Sequence, residues 1–263
     1  MATEPRRIGI SVSESADLSR LGLVERHLRL ALGEVARVVI RAGHSLIYGG
    51  HLDPNGYTVF LESEMDRYGR TDRPLHLIVG WSEHRRLSLT ELRRHKESLG
   101  LNARITYLDA AGVPVSYNAD RGEDPEPDED VPGTLTALRR YLVKETDARV
   151  FIGGKEHGYQ GEMPGIVQEA ALAIDAGQPS YFVGGFGGAT ATIAALVAGL
   201  EERWPPTESD ADLRPVRDAA ERSGWTLTNN GLTEEENRML ATTHRPSEVA
   251  SLIAIGLKRT LDD

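Results

Sequence analysis

The chain has 263 residues, 40% apolar and 27% charged, enough to bury a core of its own and too rich in apolar side chains for a disordered protein. Its 40 acidic against 30 basic residues leave a net charge of −10, which argues against binding to nucleic acid or an anionic membrane. With no cysteine, disulfides, thiolate nucleophiles, zinc–thiolate sites and cysteine-held iron–sulfur clusters are excluded.

The opening MATEPRRIGISVSES has two arginines but only a short apolar strand behind them, not a secretory leader. No apolar run approaches the ~20 residues that cross a bilayer. A soluble, cytoplasmic protein is expected. The first strand, Arg7–Val12, ends in Ser11-Val12-Ser13-Glu14-Ser15. Two readings stand for Ser11 and Ser13: hydroxyls that take phosphate or ribose, or serines that satisfy backbone groups at a turn. Helix Leu23–Ala42 follows, with Gly43 as its C-terminal cap. Strand His44–Tyr48 runs into Gly49-Gly50-His51-Leu52-Asp53, where Asp53 reads as a ribose partner or as a turn cap. Next come helix Thr58–Arg67, strand Leu75–Val79, helix Thr90–Leu99 and strand Arg104–Leu108.

Asp120–Pro132 (DRGEDPEPDEDVP) is acidic and Pro-rich, an exposed connection or a lid over a ligand site. In helix Thr134–Thr146, periodicity turns only one of Arg139 and Arg140 toward the sheet edge, and a guanidinium there would fork to a diphosphate or stack on a base. Strand Arg149–Ile152 leads into GGKEHGYQGEMPGIVQE, with Pro164 opening helix Gly165–Ala176. Lys155 in this stretch is a point charge suited to phosphate, or else a surface lysine. Glu169 reads as a ribose acceptor, a general base, or an acid favoured by the helix dipole. Strand Ser180–Val183 and helix Gly188–Arg203 complete the alternation. After a second break at Trp204–Asp212, Leu213–Arg222, Glu234–Thr242 and Ser247–Thr260 read as helices, with Thr233 and Ser247 as caps.

Short strands alternating with helices predict an α/β, Rossmann-like, doubly wound and mainly parallel sheet. A nucleotide-binding domain is expected over 1–203, and over 204–263 a helical annex that packs on the sheet or forms an oligomer contact. Three glycine turns follow strands: Gly49–Gly50, Gly153–Gly154 and Gly184-Gly185-Phe186-Gly187-Gly188. In a parallel sheet they share one edge, where open α/β sheets bind ligands and glycine lets backbone approach an anion. Neither GxGxxG after the first strand nor GxxxxGK[ST] occurs, which disfavours a P-loop NTPase. The eight histidines form no HxxxH or HExxH pattern, so no metal site is expected, although His51 and His157 fall near the crevice.

Taken in order, ISVSES, YGGHLDPNGYT, GGKEHGYQGEMPGIVQEA and FVGGFGGAT resemble the SLOG superfamily over about residues 7–200. Its members are Rossmann-like relatives of the lysine-decarboxylase-like phosphoribohydrolases, the DprA/Smf proteins and the ligand domains of TRPM channels. The chain looks nearest to the bacterial defence branch, whose domains sense NAD-derived, cyclic-ADP-ribose-like signals. The resemblance implies ligand contacts at Ser11, Ser13, Gly49, Gly50, Arg139, Lys155 and Glu169, and on the turn holding Gly184, Gly185, Gly187 and Gly188. It also implies a homo-oligomer and a separately encoded effector protein as partner. The hydrolytic relatives carry PGGxGTxxE and an upstream Arg–Lys pair. Here GGK, an insertion and PGIVQE stand instead: Gly153, Gly154 and Glu169 keep their places, but the GT core and the Arg–Lys pattern do not.

Three readings result. The first is a sensor that binds a nucleotide or ADP-ribose-like small molecule and carries no other cofactor. The second is an enzyme, an N-glycosidase, phosphoribohydrolase or ribosyl-transferring protein acting on nucleoside monophosphates through Glu169. The third is a non-catalytic oligomeric interaction protein.

Overall fold

Seven strands form the sheet of the computed structural model, which describes residues 5–68, 73–100, 102–116, 125, 130–202, 204, 209 and 211–261. In chain order the first half holds β1 (Arg7–Ser13), α1 (Glu25–Arg41), β2 (Ser45–Tyr48), α2 (Tyr57–Tyr68), β3 (Leu75–Val79), α3 (Trp81–His84), α4 (Leu89–Ser98), β4 (Ala103–Leu108) and β5 (Pro114–Val115). The second half holds α5 (Val131–Lys144), β6 (Ala148–Gly153), α6 (Gly165–Asp175), β7 (Ser180–Val183), α7 (Gly188–Val197), α8 (Arg214–Ser223), α9 (Glu234–Thr242) and α10 (Pro246–Leu261). The order is β5-β4-β3-β2-β1-β6-β7, with all pairs parallel except β4–β5. This is the doubly wound α/β architecture that the alternation predicts.

Both faces are covered, so the strands read as apolar runs while their side chains still alternate. Ile8, Ile10 and Val12 pack with α1 and α10, whereas Phe151 and Phe182 on the other face pack with α6 and α7. The helices beyond residue 204 do not stand apart from this core. Leu240, Val249, Ile253 and Leu257 share one buried cluster with Ile8, Val35 and Tyr181.

Several boundaries differ from expectation. Helix α5 starts at Val131 rather than Thr134, because the Asp130 carboxylate accepts the Gly133 N–H at 3.0 Å and Pro132 suits a first turn. Helix α7 stops at Val197 rather than Arg203; Gly199, with φ +61°, ends it. Ser247 is not a cap, since α10 already begins at Pro246, whereas Thr233 forms a capping box with Glu236. The four-residue α3 and two-residue β5 escape sequence reading because neither is long enough to show a period. The acidic connection expected over Asp120–Pro132 lies outside the described residues except for 125 and 130–132, as does most of Trp204–Asp212. Among the described residues no helix is long and apolar enough to cross a membrane.

Candidate functional site

Strand order reverses between β1 and β6: β2, β3 and β4 lie to one side, β7 to the other. The loops leaving β1 and β6 therefore part, and a crevice opens at the strands' carboxyl ends. A cleft of about 870 Å³ occupies this point. It brings together Ser11, Ser13, Gly49, Asp53, Arg139, Lys155 and Glu169 from five separate segments.

Its floor is built on a residue that sequence reading treats only as the start of a strand. Arg149 on β6 is fully buried. Its Nη1 donates to Glu169 Oε2 at 2.8 Å and to Ser11 Oγ at 3.0 Å, and Nη2 reaches Thr146 Oγ1 at 3.4 Å. Ser11 Oγ in turn donates to Glu169 Oε2 at 2.5 Å. Gly9 makes the room: a Cβ there would lie 2.9 Å from Thr146 Cγ2 and 3.0 Å from Arg149 Cζ. The signal was present in the sequence, as a charged residue within a strand buried on both faces.

Arg139 is the second cation at the floor, while Arg140 is exposed, as helical periodicity requires. Arg139 Nε lies 3.9 Å from Glu169 Oε1, and Nη1 donates to the Gln168 side chain. The guanidinium threads under the loop that leads into α6: Cβ atoms at Gly161 and Gly165 would fall 2.9 Å from Nη1 and 2.7 Å from Nη2. Burial pushes both guanidiniums down from their ordinary range, and Glu169 pushes back. One carboxylate between two arginines gives this cluster a net positive charge, with Arg139 and Glu169 on the cleft lining and Arg149 buried beneath them, a setting for an anion. Glu169 lies beyond the first turn of α6, so the helix dipole does not account for it.

Lys155 stands at the rim, its side chain half exposed and its Nζ 3.4 Å from Glu14 Oε2. Its backbone N–H donates to Ser13 Oγ at 3.3 Å, so Ser13 serves the loop while Ser11 serves Glu169. Behind this ion pair a second cavity of about 670 Å³ continues past Gly154 and His157 to Gly188. Asp53 lines the main cleft but caps a turn, Oδ1 accepting the Asn55 N–H at 2.7 Å. Tyr48 and Tyr57 form a buried wall; burial raises both phenols, with Glu169 adding to it at Tyr48 and Glu25 at Tyr57.

The glycine turns, alike in sequence, are placed differently. Gly49 lines the cleft, with its back against Leu142, while Gly50 lies off the wall against Tyr48 and Thr58. Gly153 and Gly154 adopt φ +69° and +108°; a Cβ on Gly153 would lie 2.4 Å from Ser13 O. Gly184, Gly185 and Gly187 line neither cavity. A Cβ would lie 2.2 Å from Ala241 O at Gly184 and 1.9 Å from Thr243 O at Gly185, so the end of α9 covers this turn. The first amide of α7 is also taken, for Gly188 N–H donates to the buried Asp17 Oδ2 at 2.8 Å. By contrast α6 opens at Gly165, on the cleft wall, with no side-chain cap. Of the two helix starts, α6 is the one open to a ligand anion, since the chain's own carboxylate fills the other. Among the described residues no group of three or more His, Cys, Asp or Glu is placed to hold a metal ion.

A family model described as SLOG cluster2 matches residues 2–219, from before β1 through most of α8. Among curated proteins no match is found.

Proposed function

Because the chain belongs to the SLOG cluster2 family, we propose that it binds a nucleotide or NAD-derived, ADP-ribose-like molecule across the carboxyl edge of its sheet, as a sensor. The observation that carries this reading is the cleft floor, where Arg139 and the Arg149 buried beneath it flank the carboxylate of Glu169 beside the uncapped start of α6. Phosphate sits against Arg139 and the α6 amides. Glu169, with Oε2 held by Ser11 and Arg149, offers Oε1 to a ribose hydroxyl. A carboxylate tied down this way favours binding over the general-base role that glycosidic hydrolysis would ask of it. Lys155 contributes as a rim charge. The defence setting, self-association and a separately encoded effector belong to the same proposal and rest on the sequence resemblance alone.

Calorimetry against ADP-ribose, cyclic ADP-ribose, NAD and AMP tests the proposal. Burial ranks the two cations. Replacing Arg139 by Met removes a desolvated partner of the anion and should cost roughly 2–4 kcal/mol of affinity. Replacing Lys155 by Ala removes a half-exposed charge already shared with Glu14 and should cost at most about 1 kcal/mol. Absence of heat with every nucleotide would refute the reading, and release of free base with loss on Glu169→Gln would move it to catalysis.

A further inference from the structure

A nucleotide presents a flat base as well as charge, and a base needs an accessible aromatic face. Four ring-bearing side chains line the main cleft: Tyr48, His51, Tyr57 and Tyr159. Tyr48 and Tyr57 are 3% and 4% exposed, and the Arg29 guanidinium already lies 5.1 Å above the Tyr57 ring. The His51 ring is spoken for too: Nδ1 accepts the Asp53 N–H at 3.4 Å, and a Cβ at Gly56 would lie 2.4 Å from its Cε1. His51 and Tyr159 are both exposed, Tyr159 by 42%, but with the His51 ring held against Asp53 and Gly56, Tyr159 offers the less encumbered aromatic face.

Its setting is a loop held at both ends. At one end Lys155 N–H is bonded to Ser13 Oγ at 3.3 Å, and at the other the Arg139 guanidinium lies under Gly161 and Gly165. Between the anchors, Gly158 has φ +67° with open space around it, so the backbone turns there without packing against anything. The loop thus carries an aromatic ring at the mouth of the cleft, while its base touches the residue assigned to phosphate. This is the stretch EHGYQGEM between GGK and PGIVQE.

We infer that Tyr159 is the platform on which the base of the bound nucleotide stacks, an inference that rests on the nucleotide reading above. Stacking uses the face that every base has, so Tyr159 adds affinity for base-bearing ligands without choosing strongly among bases.

The test is calorimetry on the full chain with two probes, ADP-ribose and ribose 5-phosphate, which share a ribose phosphate but not a base. Tyr159→Ala should weaken ADP-ribose by about tenfold and leave ribose 5-phosphate within about twofold, while Tyr159→Phe keeps both near wild type. Equal losses on both probes, or none on ADP-ribose, would overturn the inference. So would a wild-type protein that binds ribose 5-phosphate as tightly as ADP-ribose, with the anion reading left standing. A wild type that binds neither probe would overturn the two together. Because Tyr159 is exposed, unchanged melting temperatures should accompany these effects.

Discussion

Arg149 has no exposed surface, and its charge is met by Glu169 at 2.8 Å. Such a pair adds little net stability, because desolvation offsets attraction, yet removing one member leaves the other buried without its counter-charge. Arg149→Met should therefore cost roughly 3 kcal/mol in urea unfolding. Adding Glu169→Gln should cost far less than its single-variant effect predicts, since the two side chains act as one unit. Additive losses would show that they are not coupled. The pair also explains a division of labour at the cleft. Buried Arg139 and Arg149 set the charge of the floor, whereas Lys155, the most conspicuous cation in the sequence, is a shared surface charge.

At the scale of elements, a buried histidine on β3 and a partly buried glutamate on α2 pull stability in opposite directions with pH. Burial, with Arg104 and Arg7 nearby, pushes His76 on β3 down to about 4. The unfolded chain then binds that proton more readily, so stability is intact above about pH 6.5 and falls as pH drops toward 4. Burial pushes Glu62 on α2 up to about 7, and its Oε1 lies 3.7 Å from His95 Nε2. Here the folded state holds the proton more tightly, so stability is greatest below about pH 4.5 and falls as pH rises toward 7. His95, also lowered by burial, sides with His76. Between pH 4.5 and 6.5 the slopes oppose each other. Glu62→Gln should thus steepen the acid loss of stability, and His76→Gln should expose a fall toward neutral pH, each read from urea midpoints across that range. Parallel profiles for wild type and both variants would contradict this.

The same elements show what a sequence can carry. The six parallel strands are legible because a strand covered on both faces is a mostly apolar run, and the glycines after them mark where backbone comes close to something. What approaches is not written locally. At Gly153 it is β1, at Gly49 it is Leu142 of α5, and at Gly184 and Gly185 it is the end of α9, more than fifty residues on. That is why the turn after β7 reads locally as a ligand loop, while Gly184 and Gly185 lie packed under the end of α9 and Gly188 lines the second cavity. The role of Arg149 is not written locally for the mirror reason: it depends on Gly9, which the sheet register places beside it, and on Glu169, which α6 carries across to it.

For the whole molecule, the decisive question is whether residues beyond 204 are an appendage or part of the fold. The family match ends at residue 219, within α8. Yet Ile253 of α10 is fully buried in the cluster that holds Ile8 and Val35. Tyr181 on β7 donates its hydroxyl to Asn230 O at 2.9 Å, and a Cβ at Gly256 would lie 2.4 Å from the Tyr181 ring. Helix α10 thus covers α1 and β7 as a core layer rather than as a docked tail. A chain ended at residue 203 would leave the α1 and β7 surfaces bare, and it should be recovered as aggregate or as a species without cooperative unfolding. A milder probe asks the same of the intact chain: Ile253→Ala should cost about 2–5 kcal/mol, as a core truncation does. A cost below about 1 kcal/mol, or a shortened chain that melts cooperatively, would instead make the C-terminal helices a separable addition, free to serve an oligomer or a partner.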